Sequence, residues 1–339
     1  MRTTLIVLVL GGLLGADDIP ARPPGVNTDA EKAIRDGLEY LAKSQSKDGS
    51  WRNHGSWGSY PTAMTALAGL AFVANGNTPT RGKYALQLRK AVDFTLMSAR
   101  RNGLITDPQE ESRSMYGHGF SMLFLAQVLG MEEDTERRNE IQKVLSSAVH
   151  LTARSQSTAG GWLYTPDMSG DEGSVTVTQI QALRACRNVG VKVPKTTIDR
   201  AVKYIEKSAN PDGGISYRAG MSGSRPPITA AAVATLYNAG AYDSPVAKKA
   251  LAYCDKNISV SGAGASGHYY YTHFYLAQAY YQAGGKRWDD YYPAIRDWMI
   301  KAQQNGGAWM GDGVGTTYGT SIALIILQLP YKNLPICQR

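Results

Sequence analysis

A short frame of fixed spacing around a glycine occurs six times along the chain, and it constrains the fold more than any other feature. The glycines are separated by 54, 57, 53, 49 and 45 residues and are Gly49, Gly103, Gly160, Gly213, Gly262 and Gly307. A period near fifty residues indicates a repeat architecture whose units stack to bury a shared core. Because glycine readily adopts the left-handed conformation that ends helices, each copy is predicted to close a helix.

Three copies of the frame also carry a glutamine before the glycine and a tryptophan after it. They are Tyr40/Gln45/Gly49/Trp51, Leu151/Gln156/Gly160/Trp162 and Trp298/Gln303/Gly307/Trp309. The other three keep the spacing without those side chains: Phe94/Ala99/Gly103/Ile105, Tyr204/Ala209/Gly213/Ile215 and Tyr253/Ile258/Gly262/Gly264. We predict a structural role, in which the indole covers the end of the helix and the amide bonds a nearby backbone group.

These copies resemble the QW motifs of the squalene–hopene cyclase and prenyltransferase β-subunit superfamily. The resemblance covers roughly residues 30 to 330. It implies an all-α fold, an (α/α)6 toroid in which six helix pairs form an inner and an outer ring. It says less about activity, because functional sites vary on a common fold.

The hydrophobic pattern independently predicts six helix pairs. The first helices carry most of the charge and are predicted at 30–46, 85–101, 137–156, 196–209, 245–257 and 289–304. The second helices are predicted at 60–74, 115–129, 174–188, 227–239, 268–283 and 317–328, and they are the more apolar. Since a helix that is apolar nearly all round is buried, the second helices should form the inner ring.

The repeats leave a short segment at each end of the chain. Residues 1–16 have a positive start, an apolar stretch and a small-residue cleavage site, which predicts a signal peptide and export to the periplasm or outside the cell. A proline-rich lead follows at 17–29, then a single toroid domain at 30–330 and a C-terminal tail at 331–339.

The composition limits the classes of partner and cofactor that the protein is expected to bind. The net charge is +8, yet the lysines and arginines are spread out, and no nucleic-acid motif is present. Beyond the N-terminus no apolar run is long enough for a stable transmembrane segment. The three cysteines lack metal-ligand spacing, so no metal and no cofactor is predicted. The oligomeric state is left open.

The turns before the inner helices carry unusual polar and aromatic residues. In a toroid these turns meet around a central cavity, which we expect to bind a small molecule or a glycan. The ligand-binding candidates are Tyr60, Ser174, Thr176, Arg225, Tyr269, Tyr270, Tyr271 and Tyr318.

The catalytic candidates lie in the same turns. They are His118, His273, Tyr116 and Asp171. Glycines on both sides of His118 would let a ligand approach closely. Because histidine exchanges its proton near neutral pH, we expect His118 and His273 to face one cavity as acid and base, or as ligand anchors.

The best-known activities of the superfamily find no matching residues. The Asp-x-Asp-Asp run of class II terpene cyclases is missing, and Glu172 is the nearest carboxylate by register. Cys186 and Cys254 lie near predicted helix ends, so the zinc site of protein prenyltransferases is not matched. The resemblance therefore implies a fold and a cavity.

Three functions remain open from the sequence. The first is a cavity that binds a ligand, possibly an isoprenoid. The second is a lyase-like enzyme that acts on an acidic polysaccharide through tyrosine, histidine and arginine. The third is a scaffold that binds another protein. A dry aromatic cavity would favour the first, a wet open cleft the second, and a filled cavity the third.

Overall fold

A computed structural model describes residues 22–52, 54–262 and 267–338 of the chain. The predicted signal peptide and the start of the proline-rich lead lie outside the described residues. Within those residues the chain forms twelve α-helices, one hairpin of two two-residue strands and three short 3-10 helices. None of the helices in this part of the chain is long and apolar enough to cross a membrane.

The helices alternate between two rings. The outer helices are α1 (Thr28–Ser44), α3 (Ala85–Met97), α5 (Thr135–Arg154), α7 (Lys195–Lys207), α9 (Pro245–Asn257) and α11 (Lys286–Ala302). The inner helices are α2 (Pro61–Ala74), α4 (Ser114–Leu129), α6 (Gly173–Asn188), α8 (Pro226–Asn238), α10 (Tyr269–Ala283) and α12 (Thr316–Gln328). Predicted and observed ends agree within two residues, except that α3 ends at Met97 rather than 101 and α11 begins at Lys286 rather than 289.

The inner helices close into a ring. Each one packs on the next in sequence, and α12 packs back on α2. Every residue of α2 is buried, because its neighbours cover all sides of this apolar helix. The predicted all-α toroid is confirmed.

Hydrogen bonds join the last pair to the first. The Gln328 amide donates to the carbonyl of Ala71 in α2 at 3.1 Å. The segment after α12 also packs on the ring, since Leu334, Ile336 and Cys337 are buried. The described residues of the predicted C-terminal tail thus cover one end of the ring. The inner helices have their C-termini at this end.

The frame glycines allow close contact between successive outer helices. All six have positive φ, between 89° and 106°. A Cβ added at Gly49 would lie 2.2 Å from the carbonyl oxygen of Lys90 in α3, and one at Gly307 would lie 2.3 Å from that of Asp36 in α1. The same contact recurs at Gly103, Gly160 and Gly213. Glycine is therefore required for both conformation and space.

The frame glutamine and tryptophan have separate roles. The Gln156 amide donates to Gly160 at 2.8 Å and to Thr197 of α7, the next outer helix, at 2.9 Å. The indole of Trp162 donates to the carbonyl of Thr152 in its own outer helix at 2.7 Å. The other two full copies repeat both bonds. The glutamine thus links neighbouring units, and the tryptophan fixes its own.

Candidate functional site

A cavity of about 470 Å³ opens at the N-terminal ends of the inner helices. Its wall is mostly apolar and includes Ala63, Met64, Leu67, Phe120, Ile228 and Val314. Six tyrosines line it as well: Tyr60, Tyr116, Tyr164, Tyr217, Tyr271 and Tyr318. The volume and the mostly apolar wall with a few polar groups are typical of small-molecule sites.

The helical register explains which side chains reach the cavity. The third residue of an inner helix points inward in five of the six pairs, as Ala63, Tyr116, Ile228, Tyr271 and Tyr318. All six inner helices begin at the same end of the ring, so equivalent positions converge. Tyr116, Tyr271 and Tyr318 therefore form a band of tyrosines in the first turn of their helices.

Asp312 places a carboxylate in this apolar wall. The residue lies in the turn before α12, and its side chain accepts the backbone N–H of Tyr270 at 3.1 Å. Burial raises the pKa of Asp312 to about 6, although backbone hydrogen bonds from the start of α10 oppose the shift. A carboxyl with this pKa can hold or release a proton near neutral pH.

A second carboxylate lies behind the tyrosines. Glu172 is fully buried at the N-cap of α6, where it accepts the backbone N–H groups of Ser174 and Val175. The Ser174 hydroxyl also donates to it, at 2.7 Å, and Tyr116 bonds to that hydroxyl at 2.5 Å. Burial raises the pKa of Glu172, and these donors oppose the rise.

Two further tyrosines, Tyr164 and Tyr217, lie next to Tyr116 and Glu172. The Tyr164 and Tyr217 hydroxyls are hydrogen-bonded to each other, and the nearby Glu172 raises the pKa of Tyr217 further above the rise caused by burial. The rings of Tyr164 and Tyr116 lie side by side, with centroids 5.9 Å apart. The Arg113 guanidinium lies over Tyr164, 5.2 Å from the ring centroid, in a cation–π contact.

The mouth of the cavity carries aromatic and basic side chains. The strands His54–Gly55 and Gly58–Ser59 form a hairpin whose tip presents Trp57, 46% exposed. Trp57 contacts the ring of His268 with centroids 5.3 Å apart, and its backbone N–H bonds to Gly313. Arg113 and Arg225 are exposed at the same rim.

Six of the residues predicted from the sequence line this cavity. They are Tyr60, Tyr116, Ser174, Arg225, Tyr271 and Tyr318. The Tyr271 hydroxyl is buried and has no hydrogen-bond partner among the described residues, so it is free to bond a ligand.

The structure places His118 away from the cavity. Its imidazole is fully buried, accepts the backbone N–H of Ile105 at 3.2 Å and bonds to the Thr152 hydroxyl at 3.0 Å. Burial lowers the pKa of His118 to about 4. The expected position beside a ligand is corrected: this histidine is a neutral group that joins its frame to α5.

His273 is also turned away from the cavity. It is fully buried, its Nδ1 lies 2.9 Å from the Tyr291 hydroxyl of α11, and burial lowers its pKa to about 4. The residue begins the second turn of α10 on the face towards the outer ring. The expectation that both histidines share the central cavity is therefore not met.

Asp171 and Thr176 make structural contacts instead of lining the cavity. Asp171 accepts the Ser157 hydroxyl at 3.0 Å, in the turn that follows α5. The Thr176 hydroxyl accepts the backbone N–H of Trp162 at 2.9 Å. Both expected placements are corrected, because these side chains hold the turn before α6 in place.

Two of the three consecutive tyrosines also point elsewhere. Tyr269 stacks on Trp298 of α11 at 4.0 Å between centroids, and its hydroxyl donates to Val260. Tyr270 packs edge-on against the same indole. Successive residues of a helix face different directions, so only Tyr271 reaches the cavity, and the placement of Tyr269 and Tyr270 is corrected.

The sequence analysis missed several lining residues. Asp312, Arg113, Tyr164 and Tyr217 were absent from the candidates. Tyr164 and Tyr217 each lie two residues after a frame position, Trp162 and Ile215, so the repeat register carried a usable signal. Asp312 follows no such register.

No family model matches this chain, and no curated protein matches it in sequence. Solved structures do match in fold. A type II terpene cyclase, MstE from Scytonema, is 15% identical with a TM-score of 0.61, covering 91% of this chain and 98% of its own. A D-mannose isomerase is 12% identical with a TM-score of 0.64, covering 93% and 99%.

A GH76 α-1,6-mannanase from Salegentibacter sp. HEL1_6 matches equally well, at 8% identity and a TM-score of 0.61, covering 90% of this chain and 99% of its own. The chain has the α/α-toroid fold of these proteins. Their different substrates show that the fold hosts ligand-binding enzymes of several kinds, and identities this low carry no activity over.

Proposed function

We propose that the protein binds an elongated, largely apolar small molecule of the isoprenoid class in its central cavity. The observation that carries this proposal is the composition of the wall, where Met64, Leu67 and Phe120 form an apolar floor below the band of tyrosines. An apolar chain would replace water against that floor, and burial of apolar surface is the main favourable term in such binding.

Asp312 is the group that would exchange a proton with the bound molecule. It is the carboxylate of the lining, and its pKa of about 6 suits transfer in either direction near neutral pH. The MstE structures include one with geranylgeranyl dihydroxybenzoate as substrate. That complex supports an isoprenoid as the first class of ligand to test here.

The other two functions have less support. A lyase acting on an acidic glycan was expected to use His118 and His273, and both imidazoles are buried and bonded elsewhere. A protein-binding scaffold was expected to have a filled interior, and the cavity measures about 470 Å³.

Native mass spectrometry with farnesol, geranylgeraniol and α-1,6-mannotriose tests the proposal. We expect one prenol to bind per chain and no binding of the trisaccharide. Ala63→Phe should weaken prenol binding at least tenfold, because the new ring fills the cavity. Ala252→Phe, at an exposed site on α9, is the matched control and should bind normally. Binding of mannotriose alone would contradict the proposal.

We also propose that the protein is exported, as residues 1–16 suggest. N-terminal sequencing of the protein from its native host should give a chain that starts near Asp17. Recovery of intact Met1 from the cytosol would contradict export.

A further inference from the structure

The network around Glu172 determines which way the cavity hydroxyls point. Glu172 receives three donors: the N–H groups of Ser174 and Val175 and the Ser174 hydroxyl. Each oxygen of this carboxyl accepts a backbone N–H, so the carboxyl acts as the acceptor and the Ser174 hydroxyl directs its proton towards it. Backbone N–H groups cannot reverse, which holds the carboxylate in this role.

Counting the hydroxyl protons then shows in which direction the Tyr116 hydroxyl, nearer the cavity, donates its hydrogen bond. Ser174 has a single hydroxyl proton and gives it to Glu172, so Tyr116 must donate in the Tyr116–Ser174 bond. Tyr116 therefore uses its only hydroxyl proton on the protein side.

The cavity wall consequently presents a hydrogen-bond acceptor at Tyr116. The Tyr116 oxygen keeps its lone pairs, and no donor among the described residues bonds it. A ligand group buried here must donate a hydrogen bond, because an acceptor would meet lone pairs with no proton between them. A phosphate or carboxylate is further disfavoured by the negative charge of Glu172 behind the wall.

Neighbouring donors indicate that the polar group of the ligand is a hydroxyl and not a cation. The Tyr271 hydroxyl has no partner in the described structure, and its environment includes Tyr116 and Glu172. Arg113 stands over Tyr164 with donors of its own. A hydroxyl can donate to Tyr116 while it accepts from Tyr271 or Arg113. An ammonium can accept nothing and is repelled by Arg113.

We propose that the polar end of the ligand is an alcohol or phenol hydroxyl, selected by the acceptor Tyr116 that Glu172 orients through Ser174. This inference rests on the proposed isoprenoid binding and adds the functional group. It predicts that the free alcohol binds in preference to the matching ether, which accepts only, and to the diphosphate, which is anionic.

Isothermal titration calorimetry with farnesol, farnesyl methyl ether and farnesyl diphosphate tests this selection. We expect the alcohol to bind at least tenfold more tightly than either analogue. Equal affinity for alcohol and ether would overturn the inference and leave isoprenoid binding intact. Tighter binding of the diphosphate would overturn it in favour of an anionic group at the arginines of the rim. Failure of all three to bind would overturn the proposed function with it.

Two variants assign the selection to the network. Tyr116→Phe removes one acceptor and should bring the alcohol-to-ether ratio close to one without weakening the ether. Glu172→Gln can donate from its amide, so Ser174 can reverse and the ratio should fall as well. Tyr281→Phe removes a hydroxyl outside the cavity lining and is the matched control, with an unchanged ratio. If Glu172→Gln does not fold, Tyr116→Phe still decides: an unchanged ratio in that variant overturns the inference.

Discussion

The imidazole of His118 accepts the backbone N–H of Ile105 at 3.2 Å and takes the place that a threonine hydroxyl has in other repeats. Thr65, Thr176, Thr229 and Thr320 accept the equivalent N–H of their frames, from Trp51, Trp162, Ile215 and Trp309. His118 therefore has the structural role that threonines have in the other repeats. In the sequence, its flanking glycines suggested a ligand-binding role instead.

Replacement of His118 should change the acid stability of the protein. Its pKa falls to about 4 on folding, below the usual histidine range near 6.5, so the native state resists protonation. The stability that follows is present above about pH 6.5 and is lost as pH falls towards 4. We expect His118→Gln to flatten this part of a pH series of urea unfolding curves. His150→Gln, at an exposed site, is the control and should leave the slope unchanged.

Adjacent glycines of the last frame offer a matched pair of substitutions. Gly306 and Gly307 have φ of 98° and 92°, so alanine strains the backbone at both, by about 1–2 kcal/mol. An added Cβ meets nothing within 4 Å at Gly306 but lies 2.3 Å from Asp36 O at Gly307. We expect Gly307→Ala to lower the free energy of unfolding by at least about 2 kcal/mol more than Gly306→Ala. Equal losses in denaturant titrations would show that the contact with α1 does not hold the ring closed.

The three frame tryptophans should each be needed for stability. Trp51, Trp162 and Trp309 are fully buried, as the sequence predicted, and each donates its indole N–H to its own outer helix. Replacement by alanine should cost about 3–5 kcal/mol, the usual effect of truncating a buried large aromatic. Trp57→Ala, at the exposed tip of the hairpin, should leave the melting temperature nearly unchanged. Unchanged melting of all three frame variants would contradict the structural role.

The sequence predicted the ring well because the signals for it are local. A glycine that ends a helix, an apolar face and a fixed spacing are all properties of adjacent residues, so Gly49 and Trp51 could be read directly. The register of the inner helices also placed Tyr116, Tyr271 and Tyr318 correctly in the cavity.

The direction of a side chain could not be read in the same way. His118 lies two residues after Tyr116 on α4, about 200° away around a helix of 3.6 residues per turn. Tyr116 therefore faces the central cavity, and His118 faces the outer ring. Residue type suggested chemistry for His118, whereas its position on the helix made it structural. Asp312 was missed because its carboxylate reaches the cavity through a tertiary contact with the start of α10.

Asp312 should link proton uptake to both stability and binding. Its folded pKa of about 6 lies above the ordinary value near 4, so the protonated carboxyl favours the folded state. That contribution is fully present below about pH 4 and is lost as pH rises through 6, by at most about 3 kcal/mol. Asp312→Asn does not titrate, so its unfolding free energy should lack this decline.

The same carboxyl predicts how ligand affinity depends on pH. An apolar ligand excludes water from Asp312 and disfavours the charged form further, so binding should take up a proton. Farnesol affinity of the native protein should therefore fall as pH rises from 5 to 8, while that of Asp312→Asn stays level. Calorimetry in two buffers of different ionisation enthalpy would detect the proton uptake directly. Parallel pH profiles for the two proteins would show that Asp312 does not meet the ligand.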